Sequence, residues 1–112
     1  MATIDILPEI VDAVGDRCTV MLDSGIRRGS DIVKALALGA KMVLVGRATL
    51  YGTACGGQAG AARAIKILAD EMERTFGYVG ARRVSEIGPH IFASHVPGAD
   101  QANRLMSLRK VS

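Results

Sequence analysis

One hundred and twelve residues can enclose one hydrophobic core but fall far short of the ~250 residues of a complete eight-fold β/α barrel. A composition of 49% hydrophobic, 22% charged and 4% aromatic residues without Trp excludes a disordered tail and a disulfide scaffold, and predicts an aliphatic-cored α/β protein. The net charge of +3 gathers only between Arg104 and Lys110, which argues against a nucleic-acid partner.

In the first segment, Ile4, Leu7, Ile10, Val11 and Val14 fall at three-and-four spacing and predict a short amphipathic helix, with Pro8 expected in its first turn. After Gly15 and Asp16, the run Cys18-Thr-Val-Met-Leu22 is too short for a helix and reads as a buried strand ending at Asp23. Asp23 to Gly29 is rich in turn formers. Ser30 followed by Asp31 reads as an N-cap before a helix carrying Ile32, Val33, Leu36 and Leu38, and Gly39 terminates it. Met42 to Val45 repeats the buried-strand pattern, completing a parallel βαβ unit. A long helix is expected from Gln58 to Phe76, with Ala61, Ile65, Leu68, Met72 and Phe76 facing the sheet. One more helical turn is expected near Ser85 to Ile87. The segment from Gly88 reads as loosely ordered, with a brief helix at Leu105 and Met106.

The apolar runs are strand-sized, far below the ~20 residues that span a bilayer, and Met1 is not followed by a signal-peptide pattern. A cytoplasmic location is the expectation. Cys18 and Cys55 lack CxxC spacing and are expected as free thiols.

Both strands end in a Gly-Arg unit: Gly25 with Arg27, and Gly46 with Arg47. Ligands of parallel α/β folds sit beyond the carboxyl ends of the strands, and the last two loops of β/α barrels often form a phosphate site. Glycines let main-chain amides approach an anion, and each guanidinium offers a two-pronged donor to its oxygens. The helix starts near Ser30 and Ala48 add partial positive charge. Asp23 would repel a phosphate and is better suited to accept a hydrogen bond from a neighbouring hydroxyl. The plainer alternative is a pair of turns with solvated arginines.

The string Leu22-Asp-Ser-Gly-Ile-Arg-Arg-Gly-Ser-Asp-Ile-Val-Lys-Ala-Leu-Ala-Leu-Gly-Ala40, followed by Val43-Leu-Val-Gly-Arg47, resembles the seventh strand through the eighth of the FMN-dependent α-hydroxy-acid dehydrogenases and oxidases. Glycolate oxidase, L-lactate dehydrogenase and mandelate dehydrogenase are members. The resemblance continues through Tyr51-Gly52, Gly56-Gly-Gln-Ala-Gly60, the long helix and Arg83-Val-Ser-Glu-Ile87. It implies that residues 1–91 are the last βα units of a TIM (β/α)8 barrel, an incomplete barrel, with residues 92–112 as an irregular tail. It also implies that Asp23, Gly25, Arg27, Gly46 and Arg47 contact the FMN ribityl phosphate, with Asp23 on a ribityl hydroxyl.

The family activity implied is oxidation of an α-hydroxy acid to a 2-keto acid. Its catalytic His-Gly-Gly-Arg loop precedes the helix that Thr3 to Ile10 resembles, and no such motif occurs in the sequence. The chain alone is therefore expected to be inactive, and His90 and His95 lie outside any matching motif. Ala48 and Ala81 stand where many members have Pro and Cys. Other phosphate-binding barrels, such as type 2 isopentenyl-diphosphate isomerase, glutamate synthase and IMP dehydrogenase, share parts of the pattern, although Gly46-Arg47 departs from the Gly-Ser usual in the last. A third reading is a truncated or split-gene product that oligomerises or pairs with a complementary barrel half, since two strands leave sheet edges and a face uncovered.

Overall fold

The structure is a computed structural model and describes residues 2–93. Its framework is a βαβ unit: β1 (Met21–Leu22), α2 (Gly29–Ala37) and β2 (Met42–Val43), preceded by α1 (Thr3–Val14) and followed by α3 (Arg47–Val79). The strands are parallel, with Met21 opposite Met42 and Leu22 opposite Val43. Hydrogen bonds from Lys41 N–H to Val20 O and from Leu44 N–H to Leu22 O extend the pairing at both ends. Parallel strands require a crossover, and α2 supplies it.

Helix α1 runs straight through Pro8, its sixth residue rather than part of its first turn. The missing proline N–H costs one helical bond to Ile4, and Pro8 is buried beside Leu7. Asp5 reaches back to accept the Ala2 N–H at 2.8 Å, capping the helix start. Helix α2 begins at Gly29, with Arg28 rather than Ser30 as N-cap. Asp31 provides the cap from inside the helix: its Oδ2 accepts the N–H groups of both Arg27 and Arg28, at 3.0 and 2.9 Å. The helix ends as expected around Gly39. Its φ of +105° lets the Gly39 N–H reach Leu36 O and the Ala40 N–H reach Ala35 O, a Schellman pair.

Two cores result. Leu7, Val20, Leu22, Ile26, Ala35 and Ala40 form the first, which joins α1 and α2 to one sheet face. Val33, Ala37 and Ile87 form the second, with Met72, Phe76, Val79, Ile91 and Phe92 packed around them. No strand residue belongs to that second cluster, so α3 rests on α2 and not on the sheet as its periodicity suggests. Ile65, expected on the packed face, is 57% exposed, because α2 meets only the later turns of α3.

The expected start near Gln58 reflects a real break. Gly56 (φ −157°, ψ 25°) and Gly57 (φ 55°, ψ −138°) are non-helical and divide α3 into arms at 47–55 and 58–79. Gly52 and Gly60 meet backbone to backbone across this bend, an approach that a Cβ on either would block. Short 3-10 turns follow at Val84–Glu86 and Pro89–Ile91. The second is packed, with Pro89 buried, so order extends past Gly88 to the last described residue. Leu105, Met106 and His95 lie outside the described residues.

The strand runs read as buried on both faces. In the structure one face is covered and the other is open: Met21, Met42 and Leu44 are 52%, 54% and 46% exposed. Cys18 and Cys55 are free and exposed. Among the described residues, no helix is long and apolar enough to cross a membrane.

Candidate phosphate cleft

At the carboxyl ends of β1 and β2 the chain forms a cleft of about 140 Å³, lined by Asp23, Ser24, Gly25, Ile26, Arg27, Leu44, Gly46 and Arg47. All five residues singled out from the sequence, Asp23, Gly25, Arg27, Gly46 and Arg47, therefore border one space. The parallel register explains the convergence, because it brings the loops after both strands to the same end of the sheet.

The first loop leaves β1 through two successive residues with positive φ, Ser24 at 76° and Gly25 at 84°. Glycine adopts this region freely. Ser24 does so at a cost of roughly 1–3 kcal/mol, which the surrounding structure must offset. Asp23 Oδ1 helps by accepting the Ser24 N–H at 2.7 Å. One carboxylate oxygen is thus occupied within the loop, and Oδ2 is left to accept from another donor. Ser24 carried no sequence signal of its strain, since it reads as an ordinary turn residue.

The second loop passes directly into α3, whose N-cap is Gly46 with no capping side chain. Thr49 does not cap it either. Its hydroxyl donates to Gly46 O at 2.8 Å, and the Leu50 N–H bonds the same oxygen at 3.1 Å. The first amides of the helix therefore keep their hydrogen-bonding capacity and their share of the helix dipole. Two guanidiniums and one carboxylate border the cleft, a formal excess of one positive charge. Such a site suits a phosphate monoester joined to a hydroxylated chain. At about 140 Å³ it is too small for a whole flavin, because pockets that enclose drug-sized ligands run to ~300–1,000 Å³.

A larger and more open hollow, about 300 Å³, lies between α2 and α3 and is lined by Arg28, Ser30, Glu71, Arg74, Thr75 and Tyr78. Its charges are largely satisfied within the protein. Glu71 holds Arg28 through two contacts, Nε to Oε2 at 3.0 Å and Nη2 to Oε1 at 2.8 Å, and accepts the Gly29 N–H at 2.8 Å. The Gly29 amide and then the Arg28 guanidinium lower the Glu71 carboxyl below its ordinary range. Arg74 Nε is turned to Asp70 O. His90 is exposed in the second 3-10 turn and borders neither space.

Known proteins resemble this chain in sequence and in fold. A family model described as FMN-dependent dehydrogenase matches residues 1–94. The chain is 51% identical over 86 residues to the FMN-dependent alpha-hydroxy acid dehydrogenase qulF of Penicillium citrinum, covering 77% of this chain and 21% of that protein. It is 48% identical over 87 residues to an L-lactate oxidase of a Nostoc species, covering 78% and 24%. A soluble mutant of the membrane-associated (S)-mandelate dehydrogenase from Pseudomonas putida superposes with a TM-score of 0.74 at 43% identity, covering 79% of this chain and 25% of that one. The chain thus spans about a quarter or less of the relatives it matches.

Proposed function

The chain belongs to the FMN-dependent dehydrogenase family, and from that premise we propose that the cleft between its two strand ends anchors the phosphate of FMN. Arg27 and Arg47 donate to the phosphate oxygens, and the amides around Gly25 and Gly46 complete its hydrogen bonding. Asp23 accepts from a ribityl hydroxyl through Oδ2. One observation carries this reading: the five residues border a single cleft with an excess of positive charge. Its size argues that the isoalloxazine ring lies beyond these residues.

Bound there, FMN would supply the two-electron acceptor for converting an α-hydroxy acid to a 2-keto acid, the reaction we propose for the complete protein. This chain's residues hold the cofactor by its phosphate end and fix its depth and direction. Among the described residues that border the cleft there is no histidine to take the substrate hydroxyl proton, and in this reading a His-Gly-Gly-Arg loop supplies that base and the clamp for the substrate carboxylate. In this reading residues 1–91 are the last βα units of a (β/α)8 barrel. The open face bearing Met21, Met42 and Leu44 is then covered by the preceding units, on the same polypeptide or on a complementary one.

The test is titration of the isotopically labelled 112-residue chain with FMN and with riboflavin, followed by amide NMR shifts. FMN is expected to bind with a Kd on the order of 1 mM, moving Gly25, Arg27, Gly46 and Arg47. Arg27→Ala and Arg47→Ala should each weaken binding about tenfold, the loss of one charge-assisted contact. Riboflavin binding as tightly as FMN would overturn the phosphate assignment.

A further inference from the structure

Arg27 is exposed, so its usefulness to an anion depends on how firmly its backbone is held. Two carboxylates from outside the loop hold it. Asp31 takes the amides of Arg27 and Arg28, and Glu71 takes the next amide, Gly29, together with the Arg28 side chain. Three consecutive N–H groups are thereby fixed from the side of α2 and α3. The Arg28 guanidinium is held on Glu71, leaving Arg27 as the arginine of this pair that borders the cleft. Glu71 lies 42 residues beyond Gly29. Its side chain is 18% exposed, against 70% for Arg28, so the anchored end of the pair is the one on α3. Gly29 also presses against α3: a Cβ there would stand 2.6 Å from Glu71 C and Cβ. The loop is consequently seated on a helix that does not itself touch the cleft at Glu71.

Resting on the phosphate reading above, we propose that Glu71 is a positioning residue for FMN: by clamping Arg28 and the Gly29 amide it orients Arg27 toward the phosphate. The unclamped loop would sample several directions, and Arg27 would meet the phosphate only in a fraction of them. Apparent affinity falls by that fraction. The effect is confined to the phosphate end of the ligand.

The 112-residue chain is titrated with FMN and riboflavin well below its melting temperature, as the parent and as Glu71→Gln, Arg28→Lys and Lys66→Met. Gln keeps an acceptor for Gly29 but loses the charge. Lys keeps the charge at position 28 but loses the two-pronged contact. Lys66→Met removes the exposed pair with Asp70 elsewhere on α3 and serves as control. Glu71→Gln is expected to raise the FMN Kd at least about fivefold, the lower end of coupling between sites, with Arg28→Lys moving it in the same direction. Riboflavin binding and the Lys66→Met variant should remain as in the parent. A purely structural Glu71 would lower the melting temperature while the folded chain kept its FMN Kd, which would overturn the proposal. If Glu71→Gln does not fold, Arg28→Lys decides, and an unchanged FMN Kd in that variant is the overturning result. A parent that does not prefer FMN to riboflavin removes the phosphate site and the clamp's role together. A parent that prefers FMN and loses that preference in Arg27→Ala but not in Glu71→Gln removes the clamp alone.

Discussion

Replacing Gly29 by alanine tests the contact on which both the second core and the first cleft loop depend. The new methyl would lie 2.6 Å from Glu71 C and Cβ and would also collide with the Met72 backbone nitrogen. Carbon atoms pack best at ~3.5–4.0 Å, so α2 and α3 must separate by roughly 1 Å. A gap of that size forfeits about a quarter to a half of the attraction between facing atoms, here those of Val33 and Ala37 against Met72, Phe76 and Val79. Overpacking of this kind costs about 1–3 kcal/mol. Alanine is the better helix former by at most ~1 kcal/mol, and less at the first helical position. The net loss is therefore about 1–2 kcal/mol, which for a chain of this size lowers the melting temperature by roughly 4–16 °C. Thermal and urea denaturation followed by far-ultraviolet circular dichroism would measure it. A melting temperature within about 2 °C of the parent, or above it, would refute the close approach of α2 to α3.

Leu7 is 2% exposed and joins α1 to the first core, so Leu7→Ala should cost about 2–5 kcal/mol in urea unfolding. An acid titration of stability should reveal the Glu71 clamp. Because its carboxyl is lowered from 4.5 by the Gly29 amide and the Arg28 guanidinium, its contribution is complete above that value and disappears as pH falls through the lowered one. The melting temperature should decline over that acid range, and Glu71→Gln should make the decline shallower. An identical acid profile in the two proteins would contradict the assignment.

The cleft was legible in the sequence because each of the five residues singled out there lies within a few positions of a strand end, where local pattern and parallel pairing together determine position. The same reasoning found the βαβ order and the end of α2 at Gly39. Coverage was not legible in this way. Apolar spacing identifies which face of an element is apolar, not whether another element reaches it. Ile10, Ile65, Met21 and Met42 therefore read as core but are exposed. The start of α2 also escaped, since Ser30 has the chemistry of a cap while Asp31 performs the capping. Glu71 left no local trace, because its partners are 42 and 43 residues away and in sequence it is one more charge on a polar helix.

The two sides of the cleft are consequently unlike. Behind the first loop, Asp31, Glu71 and the α2–α3 contact are complete within the described residues, so the backbone at Arg27 is held by this chain. In front, Leu44 belongs both to the cleft lining and to the uncovered sheet face. Water reaches the guanidiniums from that side, and the attraction between unit charges about 4 Å apart falls from ~4 kcal/mol near a protein surface to ~1 kcal/mol in bulk water. Covering Met21, Met42 and Leu44 would remove that water without altering any hydrogen bond in the loops. On the proposed phosphate reading, the geometry of recognition resides in this chain while its strength depends on whatever closes the sheet, and weak but phosphate-selective binding is the expected behaviour.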